Sequence, residues 1–282
     1  MQDEKIRVAF QGEAGAFSEA AAVQLLGDKI ATVPRPTFDA TFRAIADGHA
    51  DALLVPVENS LAGSVVRVYD LLLESELTIT AETILPIEMN LIACPGASLS
   101  EIRSISSHPM ALAQCERFFS QHPSVKRLPA EDTAGSVREV LARGDKTHAA
   151  IAGKYAADRY RGQIIAERIQ DNTENFTRFV LLQPANRTAS ANRPESRKMS
   201  IAMRLAHRPG SLLSSLEPFA RNGVNLLKIE SRPIHGRPWE YQFFLDVEAD
   251  TVSRLEEALS ELRKAAHEVR VLGLYPAARN RT

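Results

Sequence analysis

The chain has 282 residues, which is enough for about two domains with cores of ordinary size. Apolar residues make up 44% and charged residues 24% of it, as in an ordinary globular protein. Its 34 basic side chains are nearly balanced by 35 acidic ones, so no long-range field would recruit a nucleic acid or an anionic membrane. We therefore expect partners of neither kind.

Short apolar runs alternate with amphipathic stretches over the first 180 residues or so. The apolar runs predict buried strands at 8–10, 52–57, 77–80, 90–93, 149–152 and 179–182. Helical spacing predicts helices between several of them, at 38–46, 110–119 and 133–143. Such alternation is typical of an α/β sheet with helices on both faces, and these elements are numerous enough for two lobes around a cleft.

A polar stretch with two prolines runs from Gln183 to Lys198, and its composition predicts a linker. Beyond it, apolar spacing predicts six elements with a turn at 235–238. They are a strand at 199–205, a helix at 212–220, strands at 225–232 and 239–247, a helix at 252–262 and a strand at 269–272. The order βαββαβ is that of a ferredoxin-like unit. We therefore predict a large N-terminal part at 1–183, a linker at 184–198 and a ferredoxin-like domain at 199–277.

The two cysteines, Cys94 and Cys115, have no CxxC spacing and no histidine pair near them. This pattern favours buried free thiols in a reducing compartment over a disulfide or a metal site. The N-terminal residues do not have the pattern of a signal peptide. No apolar run approaches the roughly 20 residues that a membrane-spanning helix needs. These features predict a cytoplasmic protein.

Ligands of open α/β sheets bind beyond the carboxyl ends of the strands. After the first predicted strand, the small residues of Gly12–Ser18 open a helix whose free N–H groups suit an anion. The segment has neither the lysine of a P-loop nor a GxGxxG pattern, which disfavours a nucleotide. The alternative is a simple turn from strand to helix.

The strand at 52–57 is followed by Glu58, Asn59 and Ser60, and then by Gly63 and Ser64. Polar groups at the exit of a buried strand usually face a cleft, so we interpret this segment as a ligand-orienting loop that ends in a helix start. The alternative is a helix cap in which Glu58 is a structural hydrogen-bond acceptor.

Two further pairs of polar residues stand where a helix begins. Ser107 and His108 follow a predicted strand, and Asp132 and Thr133 open the helix at 133–143. His108 has the chemistry of a general acid, but a histidine beside a proline is more often a capping residue, and we favour that role. Thr133 offers a hydroxyl and a free N–H group.

Residues 171–179 form a dense polar loop in which Arg178 enters a buried strand. Isolated burial of this charge is costly, so Arg178 needs an anionic partner. That partner is either a carboxylate of the protein or a carboxylate of a substrate. Thr177 beside it offers a hydroxyl that can donate to a leaving oxygen.

Together these segments resemble the prephenate dehydratase family, lyases of phenylalanine biosynthesis. The motifs that carry the resemblance are Gly15-Ala16-Phe17-Ser18, Pro56-Val57-Glu58-Asn59-Ser60, Ser107-His108-Pro109 and Thr177-Arg178-Phe179. The C-terminal part is similar to the ACT regulatory domain of the family through Arg208-Pro209-Gly210-Ser211-Leu212 and Glu230-Ser231-Arg232-Pro233. The match covers nearly the whole chain, and the motifs stand in the family's order.

The resemblance implies a two-lobed catalytic domain like that of periplasmic binding proteins, with the second lobe inserted in the first, at 1–183. It implies conversion of prephenate to phenylpyruvate, CO₂ and water without a metal or cofactor. Arg178 would bind a substrate carboxylate and Thr177 would donate to the departing hydroxyl, with Glu58 or His108 as the alternative acid. The other substrate-binding residues would be Asn59, Ser60, Gly63, Ser64, Ser107, His108 and Thr133.

For the ACT domain, the resemblance implies pairing in a homodimer or homotetramer and feedback inhibition by phenylalanine. The free N–H groups where the helix at 212–220 begins suit the carboxylate of an amino acid. The predicted effector-binding residues are Gly210, Ser211, Leu212, Asn225, Glu230 and Ser231.

Two alternatives stand beside this interpretation. The opening segment 12–16 and the segment 132–135 look closer to arogenate dehydratases, so arogenate is the alternative substrate. The second alternative is a non-catalytic sensor made of a solute-binding domain and an ACT domain. Such a sensor would usually carry an export signal or a helix-turn-helix, and the sequence shows neither pattern.

Overall fold

The computed structural model describes residues 5–185, 197–234, 236 and 240–278. Contacts between residues divide the chain into two compact units, one made of 1–69 and 83–179, the other of 70–82 and 180–282. Most of the predicted linker lies outside the described residues, but its ends do not. Pro184 ends one strand and Lys198 begins the next. The domain boundaries at 183 and 199 stay predictions.

The first 185 residues contain eleven described strands and seven described α-helices. The strands are β1 (Ile6–Gln11), β2 (Ile30–Arg35), β3 (Ala52–Asn59), β4 (Gly63–Ser64), β5 (Leu77–Pro86), β6 (Asn90–Ala93), β7 (Ser104–Ser107), β8 (Lys126–Pro129), β9 (His148–Ala152), β10 (Gln163–Ala166) and β11 (Phe176–Pro184). The helices are α1 (Phe17–Leu26), α2 (Phe38–Ala46), α3 (Val66–Glu74), α4 (Pro109–Ala113), α5 (Glu116–Gln121), α6 (Thr133–Arg143) and α7 (Lys154–Tyr160).

These strands form two sheets. The first has the order β2-β1-β3-β11-β5, with β4 paired to β3, and β1 runs parallel to both of its neighbours. The second has the order β10-β6-β9-β7-β8, and all its strands lie between β5 and β11 in the chain. We call the two sheets with their helices the first and the second lobe.

The second sheet is buried on both faces because apolar residues fill both sides of its central strands. Leu91 and Ile151 pack in one cluster with Phe119 of α5. Their neighbours in the chain, Ile92 and Ala150, point the opposite way and pack with residues of α6 and α7. This confirms the predicted α/β class with helices on both faces.

Each of the six strands predicted in this part lies within an observed strand, but two helix predictions are wrong. The helix predicted at 110–119 is broken into α4 and α5. The break arises because both carboxylate oxygens of Asp171 accept from the N–H groups of Glu116 and Arg117, which caps a new helix start. The helix predicted to begin at Gly63 begins at Val66, because Gly63 and Ser64 form β4 and pair back onto β3.

Both cysteines are buried free thiols, as predicted. Burial raises the pKa of the Cys115 thiol to about 12. Among the described residues, no helix is long and apolar enough to cross a membrane.

The C-terminal part has the predicted βαββαβ order. Its elements are β12 (Lys198–Arg204), α8 (Ser211–Arg221), β13 (Asn225–Pro233), β14 (Tyr241–Glu248), α9 (Val252–Ala265) and β15 (Glu268–Tyr275). They form an antiparallel sheet in the order β13-β14-β12-β15, which is the ferredoxin-like arrangement. The residues predicted at a turn, His235, Arg237 and Pro238, and Trp239 of the predicted third strand lie outside the described residues.

Candidate active site

Both lobes line one pocket of about 430 Å³. From the first lobe come Gln11 and Asn59, which end β1 and β3, and Thr177 of β11. From the second lobe come His108, which follows β7, and Thr133, which begins α6. The pocket therefore lies where several strands of an α/β sheet end, as expected for a ligand site in this class of fold.

Two helices of ordinary length begin at the wall of this pocket. Phe17 and Ser18 of the first turn of α1 line it, and the cap residue Ala16 has no side-chain hydrogen bond to the helix. Ser18 is only 8% exposed, and its hydroxyl has no hydrogen bond within the part of the chain that the structure describes. Thr133 begins α6, whose cap Asp132 accepts from Gly135 N at 2.6 Å. Free N–H groups at such helix starts favour an anionic ligand.

Asn59 connects β3 to the loop that precedes β11. Its amide nitrogen lies 2.7 Å from Asn175 Oδ1, 3.1 Å from the Phe176 carbonyl oxygen and 2.9 Å from Thr177 Oγ1. Thr177 is 8% exposed and Asn175 only 1%. The Thr177 hydroxyl is thus held at the pocket wall by a hydrogen bond from a neighbouring strand.

Arg178 and Glu58 lie next to each other but are not among the residues that line the pocket. Arg178 Nη1 is 3.8 Å from Glu58 Oε2, and the Arg178 side chain is 11% exposed. Of the two partners considered for Arg178, the structure therefore places a protein carboxylate beside it. The predicted contact with a substrate carboxylate stays a prediction, and so does the catalytic role of Glu58.

The structure does not bring four other predicted substrate-binding residues to the pocket wall. Ser60 connects β3 to the loop before β11, because its hydroxyl donates to the Glu174 carbonyl oxygen at 2.8 Å and accepts from Phe176 N at 2.9 Å. Ser107 is fully buried, and its hydroxyl donates to the Ile151 carbonyl oxygen at 2.6 Å. Gly63 and Ser64 form the short strand β4.

His108 caps a helix and also lies at the pocket wall, and its role as a general acid stays a prediction. Its Nδ1 accepts from Met110 N at 3.2 Å, so it caps α4, as we favoured. The same residue lines the pocket together with Thr133.

Sequence reasoning missed several residues of the pocket, above all Gln11, Gln114 and Asn175. Asn175 stands in the polar loop before Thr177, so its position in the sequence was a usable signal. Gln114 had none, because it lies where one helix was predicted and the structure has two.

The described residues that line the pocket include Glu131 and Asp132 but no lysine or arginine. A carboxylate in the pocket would therefore be held by N–H and hydroxyl donors rather than by a cationic side chain of the wall. Among the residues that the structure describes, no group of three or more His, Cys, Asp or Glu side chains is placed to hold a metal ion.

The predicted effector residues lie on two elements of the C-terminal sheet. Gly210 caps α8 in the left-handed conformation (φ 81°), and Ser211 and Leu212 form its first turn. The Ser211 hydroxyl oxygen is buried, with no hydrogen-bond partner among the described atoms. Glu230 and Ser231 lie near the end of β13, and Asn225 begins it. Asn225 follows the end of α8, a helix of 11 residues and therefore about 16 Å long, whereas Ser211 lies at its start.

Comparison with known proteins agrees with this geometry. The family model "Prephenate dehydratase" matches residues 8–187, well over half of the chain. The chain belongs to the prephenate dehydratase family. It is 38% identical to "Arogenate dehydratase/prephenate dehydratase 1, chloroplastic" of Arabidopsis thaliana, over 97% of this chain and 73% of that protein. This prephenate dehydratase homologue is therefore an enzyme of the hydro-lyase class in aromatic amino acid biosynthesis.

Solved structures show the same fold over nearly the whole chain. The prephenate dehydratase of Arthrobacter aurescens in complex with L-Phe is 34% identical, with a TM-score of 0.86 over 97% of this chain and 90% of that one. A protein described as GqqA, a novel type of quorum quenching acylase, is 33% identical, with a TM-score of 0.87 over 98% and 99%.

Proposed function

We propose that this chain converts prephenate to phenylpyruvate, CO₂ and water, and that the pocket between the two lobes is where the reaction occurs. The observation that carries this proposal is the Thr177 hydroxyl, held by Asn59 at the wall of a pocket where α1 and α6 begin. The prephenate dehydratase family supplies the reaction type.

The reaction needs little catalytic assistance from the protein, because formation of an aromatic ring supplies much of its driving force. The bond from the ring to its carboxylate breaks and CO₂ leaves. The electron pair of that bond enters the ring, and the carbon–oxygen bond on the opposite ring carbon breaks. The departing hydroxide takes a proton and becomes water.

Thr177 is our proposed donor to the departing hydroxyl. A threonine hydroxyl is a weak acid, so its contribution is a hydrogen bond that strengthens as negative charge develops on the oxygen. One such donor typically contributes about 10²–10³-fold to the rate. Glu58 and His108 stay the alternatives for the proton itself, and of the two only His108 lines the pocket.

The carboxylates of the substrate need donors. The free N–H groups at the start of α1, with the Ser18 hydroxyl, and those at the start of α6 meet this need from opposite lobes. Arg178 remains our proposed further contact. Because it lies beside Glu58 and outside the pocket wall, this contact requires its guanidinium to exchange Glu58 for a substrate carboxylate. A charged hydrogen bond contributes roughly 1.5–3 kcal/mol, and lysine is a poor substitute for the planar guanidinium.

Arogenate is the second candidate substrate, and one observation favours it. Arogenate carries an ammonium group where prephenate has a ketone, and the carboxylates of Glu131 and Asp132 line the pocket. Asp132 caps α6, so Glu131 is the residue left to attract the ammonium group.

The experiment that decides between the substrates is a comparison of kcat/KM for prephenate and arogenate, in wild type and in Glu131→Gln. We expect a higher kcat/KM with prephenate and no loss on Glu131→Gln. A preference for arogenate that Glu131→Gln removes would replace prephenate by arogenate as the substrate. No turnover of either would overturn the proposed function.

We also propose that phenylalanine binds where α8 begins and inhibits the enzyme. The buried Ser211 oxygen without a partner and the open start of α8 support this site. The related Arthrobacter aurescens enzyme was solved with L-Phe. Calorimetry of the full chain with phenylalanine tests the site, and Ser211→Ala should weaken binding. No binding to the full chain would overturn it.

A homodimer or a homotetramer built from dimers is the proposed assembly, through the open edge of β13. Of the described strands, β13 pairs only with β14, and Leu227 and Ile229 on it are 44% and 42% exposed. Asn225 lies far from Ser211 within one protomer, so an effector site that uses both would take Asn225 from the partner.

We further propose that the enzyme works in the cytoplasm, a location that its two free buried thiols support.

A further inference from the structure

The side-chain amide of Asn59 has an orientation that its neighbours dictate. The backbone N–H groups of Leu61 and Ala62 lie 3.0 and 2.8 Å from one of its two terminal atoms. A backbone N–H can only donate, so this atom is the amide oxygen. The amide nitrogen, which can only donate, therefore points towards Asn175 and Thr177.

The orientation of the Asn59 amide fixes that of Asn175, which in turn fixes that of Gln114. The Asn59 nitrogen lies 2.7 Å from a terminal atom of Asn175, which must be an oxygen to accept from it. The Asn175 nitrogen is then left to donate to Gln114 at 3.2 Å, so the Gln114 atom is its oxygen, Oε1. The Gln114 nitrogen remains for the pocket, which Gln114 lines. The three amides thus form a chain with one direction, which begins at the backbone of Leu61 and Ala62.

The Thr177 hydroxyl is oriented by the same chain of amides. Its Oγ1 accepts from the Asn59 nitrogen at 2.9 Å, so the hydroxyl hydrogen must point elsewhere. Within the described part of the chain, the Thr177 side chain makes no other hydrogen bond, and it lines the pocket. The hydrogen is therefore free to be donated to a ligand.

Asn175 connects Asn59, which holds the Thr177 hydroxyl, to Gln114. It is 1% exposed, its oxygen accepts from Asn59 of the first lobe, and its nitrogen donates to Gln114 of the second. A buried amide network that is this well paired has little freedom to reverse, since a reversed amide would place two oxygens or two nitrogens against each other.

We infer that Asn175 is a positioning residue that turns the Gln114 amide nitrogen towards the pocket, and that Gln114 is a further substrate-binding residue which donates to a substrate carboxylate. This inference rests on the proposed function, because the proposed substrates supply the carboxylate. It gives the second lobe an amide donor at the wall of the pocket that Thr177 also lines.

The substitution Asn175→Asp tests the direction of the chain without changing the size of the side chain. A protonated carboxyl group replaces the amide well, since one oxygen accepts from Asn59 and the O–H donates to Gln114. An ionised carboxylate has no hydrogen to donate, so Gln114 would turn its nitrogen inwards and its oxygen to the pocket.

The measurement is kcat/KM of Asn175→Asp divided by that of wild type, over a range of pH. We expect this ratio to fall roughly ten- to a hundredfold as the new carboxyl group ionises with rising pH. The titratable residues of the pocket wall, His108, Glu131 and Asp132, are present in both proteins and cancel in the ratio. The control is Asn172→Asp in the same loop, because Asn172 is exposed and only accepts, from Glu174 N. A pH-independent ratio for Asn175→Asp would overturn the inference.

A second variant tests Gln114 itself if Asn175→Asp does not fold. Gln114→Glu keeps the acceptor for Asn175 but turns a carboxylate oxygen to the pocket, so KM should rise about tenfold or more while kcat changes less. Gln121→Glu on the exposed side of α5 is the matched control. If wild type turns over substrate and Gln114→Glu leaves KM unchanged, the inference fails alone. If wild type turns over neither prephenate nor arogenate, the proposed function fails.

Discussion

Thr177 and Arg178 are neighbours in the chain, but β11 directs their side chains differently. Successive residues of a strand point to opposite faces of the sheet. Thr177 and Phe179 both line the pocket, whereas Arg178 lies 3.8 Å from Glu58. The motif that suggested one site in the sequence therefore supplies a pocket hydroxyl on one face and a charge pair on the other.

Thr177→Val should lower kcat about a hundredfold with little change in stability, because valine has the shape of threonine without the hydroxyl. Steady-state kinetics with prephenate measure the effect. Thr177→Ser should restore most of the rate. Thr173→Val, at an exposed position of the same loop, should behave as wild type. Near-normal turnover by a folded Thr177→Val protein would remove Thr177 from the mechanism.

Arg178→Lys should raise KM about tenfold or more, because an ammonium group cannot make the paired hydrogen bonds of a guanidinium. Arg117→Lys, at an exposed arginine, is the control of the same type. A double-mutant cycle with Glu58→Gln separates the two partners of Arg178. If Arg178 serves only Glu58, either substitution alone should have the same effect on KM as both together, and the substrate contact would be refuted.

Individual site residues could be predicted from the sequence where a polar side chain stands next to a predicted strand. Asn59 and Thr177 follow or enter predicted strands, and both line the pocket. Ser107 also stands next to a predicted strand, but strand alternation directs its side chain away from the pocket. Its hydroxyl donates to the Ile151 carbonyl oxygen instead. Gln114 and Asn175 meet only in three dimensions, 61 residues apart in the chain.

The strands β7 and β9 share a buried polar contact in the second lobe. His148 of β9 is 7% exposed, with Nδ1 3.2 Å from Ser104 Oγ and Nε2 2.7 Å from Ser106 Oγ on β7. Burial, followed by the nearby Arg143, lowers the pKa of His148 below its ordinary value. The folded protein therefore favours the neutral imidazole.

This contact predicts a pH dependence of stability. In the unfolded chain His148 takes up a proton near its ordinary pKa of about 6.5, while the folded protein resists protonation until lower pH. The contribution of His148 to stability is therefore complete above that pH and is lost as pH falls towards the folded pKa. Urea unfolding at several pH values measures it.

The matched variants are His148→Gln and the exposed His49→Gln. Wild type should lose stability relative to His148→Gln as pH falls from 8 to about 5. The difference between wild type and His49→Gln should stay nearly constant. An equally constant difference for His148→Gln would contradict the lowered pKa.

Elements with regular apolar spacing were predictable, and elements set by distant contacts were not. The helix at 133–143 was predicted to the residue, since Asp132 caps it locally. The strand β8 (Lys126–Pro129) was missed because all four of its residues are exposed and show no alternation. The break between α4 and α5 depends on Asp171, far along the chain.

Across the whole chain, the division into units does not follow the order of the sequence. Residues 70–82 belong with the C-terminal residues, although residues 77–82 are part of β5 in the first sheet. Gly273 of β15 shows why, since a Cβ there would lie 2.3 Å from the Ile79 carbonyl oxygen. Nothing in the apolar pattern of either segment indicates such a close approach of two backbones.

A buried ion pair within this second unit should stabilise it. Lys198 Nζ donates to both carboxylate oxygens of Glu82, at 3.0 and 2.9 Å, and the two side chains are 8% and 2% exposed. Lys198→Met leaves the Glu82 charge buried, so we expect a loss of about 3–5 kcal/mol in the free energy of unfolding.

Denaturant unfolding measures this loss, and the double variant with Glu82→Gln should recover part of it. Lys154→Met at the exposed Lys154–Asp158 pair is the control and should cost less than about 1 kcal/mol. Equal effects of Lys198→Met and Lys154→Met would show that the buried pair does not stabilise the unit.

If the pocket between the two lobes removes CO₂ and water from prephenate together, CO₂ and phenylpyruvate must form at the same rate. The most direct measurement incubates the purified full chain with prephenate and follows CO₂ and phenylpyruvate in the same sample. We expect equal amounts of both at all times, at a rate that Thr177→Val lowers about a hundredfold. Binding of prephenate by the folded wild-type protein without formation of either product would overturn the proposed reaction and favour a sensor.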